Sequence, residues 1–168
     1  MPETPVSLTR DKFVPFIDLT RGAAAGTYDW APIDLSTVFE MAYNPTTNTV
    51  SYICYANDTT ELASYAPSMA QEIKIEKDNP IYDFMLAYMR EMPTGSAAEV
   101  PVMLVYPDKT TGAPTEADVW DSAVLAPDTI NTVDGKLTFT LNFNGERKSG
   151  TVSGVGTDTV TFTEGVAE

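Results

Sequence analysis

The chain has 168 residues, 43% of them hydrophobic, and sets 24 acidic side chains against 10 basic ones for a net charge of −14. That length suits one domain around one core, and the apolar share is too high for a disordered chain. A surface this acidic argues against adhesion to nucleic acid or anionic lipid, both of which are gripped through Lys and Arg.

Residues 1–30 carry scattered prolines and the low-complexity piece RGAAAG, and read as an extended arm rather than a packed element. Arg10, Lys12 and Arg21 make it the least acidic segment. Its start, MPETPVSLTRDKF, lacks a basic stretch followed by an apolar run, so no signal peptide is expected. No window approaches the ~18 consecutive apolar residues of a membrane span.

Residues 31–168 read as one β-rich domain. STVFEMAY and TVSYICYA are rich in β-branched and aromatic residues, with a hairpin turn expected over Asn44–Asn48. Cys54, in the second of these runs, is expected to be a small core hydrophobe. Residues 56–68 follow as a polar loop without a pattern, of a length that is uncommon unless the loop contacts something.

SMAQEIKIEK then alternates. Met69, Gln71, Ile73 and Ile75 form one face and Ala70, Glu72, Lys74 and Glu76 the other. A helix is expected over 80–92. Asn79 suits its N-cap and Pro80 its first position, while Ile81, Phe84, Met85, Tyr88, Met89 and Met92 make a core-facing stripe. VPVMLVYP is continuous enough to be covered on both faces. Asp134-Gly135 and Asn144-Gly145 are hairpin signals. Between them Leu137, Phe139, Leu141 and Phe143 alternate with Thr138, Thr140 and Asn142. Seven to nine strands and one helix are expected, arranged as an antiparallel sandwich or barrel with the helix on one side.

No catalytic constellation emerges. Without histidine, Ser-His-Asp and Cys-His chemistry and a Cys/His zinc site are out of reach, and one cysteine makes no internal disulfide. Asp118 and Asp121 flank Trp120 in the manner of a sugar platform, yet charged residues between apolar ones on a strand are usually the solvated face. NDTTE lacks the glycine and spacing of a calcium loop, and no helix follows GTVSGVG to seat a phosphate. No cofactor, metal or enzyme activity is expected. A non-catalytic carbohydrate-binding β-sandwich using Trp30 or Trp120 is the competing reading.

The order TYDWAPIDLSTVFEMAYNPTTNTVSYI, then LASYAPSMAQEIKIEKDNPIYDFM, then GERKSGTVSG resembles the major tail tube proteins of long, non-contractile-tailed bacteriophages, over about residues 27–155. The resemblance implies a mainly β fold: a two-sheet antiparallel sandwich with one flanking helix, whose inner sheet closes into a ring barrel on oligomerisation. It implies hexameric rings stacked into a tube that conducts DNA without binding it, in company with tape measure, distal tail and tail terminator proteins. The setting it implies is a virion tail assembled in the host cytoplasm. On this reading Glu72, Lys74, Glu76, Thr138, Thr140 and Asn142 are lumen-facing candidates. The arm 1–30, the loop 56–68 and residues 156–168 are the bridging segments, with Arg10, Lys12, Arg21, Asp58, Glu61 and Tyr65 as inter-subunit candidates.

Overall fold

The computed structural model describes residues 8–23 and 26–165. Ten strands and one α-helix are found among them. In chain order the strands are β1 (Val14–Asp18), β2 (Trp30–Pro32), β3 (Glu40–Ala42), β4 (Pro45–Val50), β5 (Thr59–Tyr65) and β6 (Ser68–Lys74). After the helix α1 (Pro80–Glu91) come β7 (Glu99–Pro107), β8 (Pro114–Asn131), β9 (Lys136–Ser153) and β10 (Thr161–Glu164).

Eight strands form one continuous antiparallel sheet in the order β2-β1-β7-β8-β9-β6-β3, with β10 on the remaining edge of β9; β4 and β5 form a separate ribbon. The expected two sheets are therefore two arms of a single sheet, and no barrel closes among the described residues. The division is made by β8 and β9, each 18 residues long. The first half of β8 lies beside β7 and the second half of β9 beside β10, whereas the first half of β9 lies beside β6. Where the arms meet, the ladder slips between Trp120 and Ser122, opposite Asn144-Gly145-Glu146-Arg147. The Asn144-Gly145 pair expected to turn a hairpin instead sits inside β9, with Gly145 at φ +74°. A glycine at positive φ in a register slip bends a strand without ending it. Asp134-Gly135 does turn the chain from β8 into β9.

The core lies inside the bend. Ile17, Ile33, Met69, Ile73, Leu104, Leu125, Leu137, Phe139 and Leu141 pack together from both arms, and α1 closes them with Ile81, Met85 and Tyr88. Asn79 caps the helix, its side-chain oxygen accepting from Tyr82 N at 3.0 Å. The expected stripe holds for Ile81, Met85 and Tyr88, with Phe84 and Met89 half-buried against the core. Met92 breaks from it: the helix ends at Glu91, and Met92 sits at φ +48° with 78% of its surface exposed. The following proline forbids a further helical turn. β7 is covered on both faces as expected, sending Val100, Val102 and Leu104 to the main core and Met103 and Val105 to a second cluster with Phe16 and Val119.

Two expectations about loops fail. Within the arm 1–30, Val14–Asp18 is a strand between β2 and β7, buried from Pro15 onward. Pro15, one of the prolines that suggested an unpacked arm, is accommodated within β1. Residues 1–7 and 24–25 of that arm, and 166–168 of the C-terminal segment, lie outside the described residues. The patternless loop 56–68 contains β5, and the expected turn at Asn44–Asn48 is largely β4. The ribbon turns instead at 51–58, which leaves Cys54 exposed at its tip rather than in the core. Every residue of both ribbon strands is exposed, so neither carries the alternation that marks a half-buried strand.

Candidate assembly surface

The second arm is a four-stranded sheet, β3-β6-β9-β8, and its faces are fixed by register. Glu40 lies opposite Ala70, Glu72 opposite Thr138, Lys74 opposite Lys136, Thr140 opposite Ala70 and Ala126, and Asn142 opposite Ser68 and Val124. Directly opposed residues share a face. Glu72, Lys74, Thr138, Thr140 and Asn142 are thus brought to one polar face, away from the core that takes Met69, Ile73, Leu137 and Phe139. Glu76 follows the end of β6 and joins this group by pairing with Lys74. Gln71 points into the core as the alternation demands, 2% exposed, with its carbonyl Oε1 unpartnered.

Charge on this face is nearly balanced. Lys136 Nζ lies 2.8 Å from Glu72 Oε1, which also accepts from Thr37 Oγ1 at 2.8 Å. The Lys136 contact, then the Thr37 hydroxyl, hold the Glu72 carboxyl below the usual carboxylate range, and Glu72 in turn pushes Lys136 up. Asp128 accepts from Thr138 Oγ1, which also meets Thr129 Oγ1 at 2.7 Å. Glu40, Glu72, Glu76 and Asp128 against Lys74 and Lys136 leave a net −2, from four acids minus two lysines, of the chain's −14.

Two edges flank the face. Among the described residues β3 has a strand partner only in β6, and β8 beyond Val124 has one only in β9, because the β7 ladder stops at the Glu99–Val124 pair. From the outer end of β3 and β6 the ribbon β4–β5 departs. Among the described residues, seven of the eleven exposed large hydrophobic side chains lie on it or at its base: Tyr43, Val50, Tyr52, Ile53, Tyr55, Leu62 and Tyr65.

The candidates for contact between copies divide. Asp58, Glu61 and Tyr65 stand on this ribbon, Asp58 accepting from Ser51 Oγ and Tyr65 edge-on to Tyr43 with centroids 6.5 Å apart. Arg10 is exposed and donates to the Ser36 carbonyl oxygen at 2.6 Å, while Lys12 pairs with its neighbour Asp11 at 3.1 Å. Arg21 serves its own fold: it pairs with Glu91 at 2.7 Å and lies 4.8 Å from the Tyr88 ring centroid. In the C-terminal segment, β10 completes the other arm by pairing with β9 of its own chain.

The sugar platform loses its geometry. Trp120 is buried against Phe143, with centroids 4.8 Å apart. Asp118 is engaged by Ser149 at 2.5 Å and Arg147 at 3.7 Å, and Asp121 by Lys148 at 2.5 Å and Tyr28 at 3.1 Å. Trp30 is half-buried and stacks on Tyr28. These carboxylates are side chains of a twisted ladder neutralised by the strand beside them.

No family model matches the sequence, and no curated protein matches it. Solved structures do match in shape. A chain from the tail of an empty GTA particle, refined helically with C6 symmetry, superposes at a TM-score of 0.58 with 11% identity, covering 84% of this chain and 97% of that one. The two chains share a fold. The cap of the anti-feeding prophage, described as a tube terminating cap, follows at 0.53 with 11% identity, over 90% of this chain and 95% of that one. The sheath/tube terminator of the extracellular contractile injection system PVC matches at 0.51 with 7% identity, over 89% and 99%. One of these neighbours is a terminator of a contractile system, so the shared fold is broader than the non-contractile major tube subunit implied by the sequence resemblance.

Proposed function

We propose that this chain is a structural subunit of a phage-type tail tube, assembling into stacked hexameric rings around a polar, weakly acidic conduit for DNA. The observation that carries the reading is the four-stranded arm with a polar face and two unpaired edges. An exposed sheet edge is a liability that closure removes. In the order β3-β6-β9-β8 every neighbour is antiparallel, so β3 and β8 run in opposite directions. The β8 edge of one copy therefore meets the β3 edge of the next in antiparallel register, and copies repeat around a ring without a break in the pattern. Closure places Glu72, Lys74, Glu76, Thr138, Thr140 and Asn142 on the inner wall. Duplex DNA carries a negative charge every ~1.7 Å. A wall whose lysines are already matched to carboxylates offers it no counterion release, so the duplex passes without sticking. The tube resemblance, the fold shared with tail chains and the absence of a catalytic cluster on this face favour a structural role over an enzymatic one. On this reading tape measure, distal tail and terminator proteins are the partners, and the particle is put together in the host cytoplasm.

Electron microscopy of the purified protein, alone and co-expressed with the remaining tail proteins, is expected to show rings or tubes. Ile130→Lys puts a charge on the unpaired β8 edge, where Ile130 is already 44% exposed. The variant is expected to melt as the native chain does, within about 0.5 kcal/mol for an exposed position, yet to form no rings. Unimpaired rings from this variant, or monomers alone from the native chain in both settings, refute the reading.

A further inference from the structure

Both edges of the polar arm are guarded. β3 is short, Glu40–Ala42, and before it the chain follows β6 irregularly. It touches β6 at the Ser36–Ile73 bridge and through Thr37 N, which donates to Glu72 O at 2.9 Å. The β8 edge beyond Val124 holds Pro127, and its ladder to β9 slips between Pro127 and Thr129, so Asp128 has no residue opposite it. A proline inside a strand turns its missing donor to the open side. A short strand, a proline, a bulge and a charged side chain are devices that keep a sheet edge from pairing at random. All of them occur here, divided between two edges of one four-stranded arm.

Charge separates the inner strands from the edges. On β6 and just beyond it, Glu72 is matched by Lys136 at 2.8 Å and Glu76 by Lys74. Each edge carries a single charged side chain, Glu40 on β3 and Asp128 on β8 beyond Val124, and both are carboxylates. Both residues are exposed, and among the described residues neither forms an ion pair. Asp128 accepts from the Thr138 hydroxyl at 3.3 Å, which places it on the polar face, and Glu40 lies opposite Ala70 on that face. The neighbouring cations are engaged elsewhere. Lys74 and Lys136 serve Glu76 and Glu72, with Asp134 also near Lys136. Arg10 is bonded to the Ser36 carbonyl, in a groove that Asp11 and Asp34 also line.

When the β8 edge of one copy meets the β3 edge of the next, Glu40 and Asp128 come to one seam, on strands about 4.8 Å apart. Like charges across a strand pair destabilise it. We infer that Glu40 and Asp128 gate ring closure, opposing each other across every seam so that the two edges pair only when their backbone and apolar contacts form together. The inference rests on the tube reading and names the residues that regulate its closing step. The gate works on the polar side of the seam, where side chains stay in water. Ile130, opposite Leu137, lies on the core side of the same edge, where closure buries whatever charge is placed there.

Charge reversal separates this gate from the effect of net charge. The rate of ring formation is followed by light scattering, with electron microscopy of the products, at about 0.01 M salt, where the Debye length is about 30 Å. Glu40→Lys and Asp128→Lys each set a lysine against a carboxylate at the seam. Both positions are exposed, so either variant is expected to melt as the native chain does. Each is expected to form rings about tenfold faster or more, the low end of what charge steering does to association. The double variant Glu40→Lys, Asp128→Lys sets lysine against lysine. It is expected to fall back to the native rate or below, although it is the least acidic of the four proteins. In about 1 M salt, where the Debye length is about 3 Å, the four rates should converge. A double variant faster than either single one, single variants no faster than the native chain, or differences that persist in 1 M salt overturn the gate and leave the tube reading standing. Failure of all four to form rings, alone and with the remaining tail proteins, overturns both.

Discussion

Glu72 accepts from Lys136 and Thr37, from two different segments, and so ties β6 to β9 and to the 33–39 connection at the edge of the polar face. Its carboxyl lies below the ordinary 4.5, held there first by the Lys136 hydrogen bond and then by Thr37. A depressed carboxyl contributes stability that is fully present above its ordinary value and lost as pH falls through the folded value. Glu72→Gln is therefore expected to lower the melting temperature at about pH 7, and the gap from the native chain should close as pH is brought from about 4.5 toward 3. A gap that persists unchanged in acid would mean that Glu72 acts by packing rather than by charge. The alternation of SMAQEIK was enough to set Glu72 with Lys74, and that of LTFTLNF to set Thr138 with Thr140 and Asn142, because a period of two leaves no other choice. Their cross-strand partners were not legible. Register between β6 and β9 is set by pairing across some 70 residues of chain, and no local pattern encodes which lysine meets which glutamate.

Helix α1 was the most readable element, since its cap, first proline and apolar stripe all agree. Asn79→Ala removes the acceptor for Tyr82 N and is expected to cost about 1 kcal/mol in chemical denaturation. Asn79→Ser should recover most of it, and a loss shared by both variants would place the effect outside capping. The strand elements were legible where one face is buried and misread where neither is. Leu137–Phe143 alternates and was found, while Thr59–Tyr65 carries no alternation and read as loop. The same cause misplaced Cys54: SYICYA has the composition of a core strand, but those side chains are exposed at a ribbon tip. An apolar run in a segment that proves fully exposed is unusual on a monomeric surface. Gly145 misled in the opposite direction, because a glycine at positive φ serves a bulge within a long strand as well as a turn between two short ones.

At the scale of the whole molecule, the net −14 is largely displaced from the candidate inner wall, which keeps −2. On the tube reading, copies that approach one another therefore meet a long-range repulsion that short-range apolar contacts must overcome. Screening shortens that repulsion, from a Debye length of about 30 Å at 0.01 M salt to about 3 Å at 1 M, while leaving the apolar contacts in place. Assembly is expected to be slow at low ionic strength and to accelerate with added sodium chloride, with the concentration needed for tubes falling, as read by light scattering and sedimentation. Double-stranded DNA added to finished tubes should show no salt-sensitive binding, because the lysines of the polar face are matched by Glu72 and Glu76. Replacing those partners in the double variant Glu72→Gln, Glu76→Gln leaves Lys74 and Lys136 unmatched. Tubes of that variant are expected to retain DNA at low salt and release it as salt rises. Equal retention by native and variant tubes would show that this face does not line the conduit, whatever the tube's outer architecture.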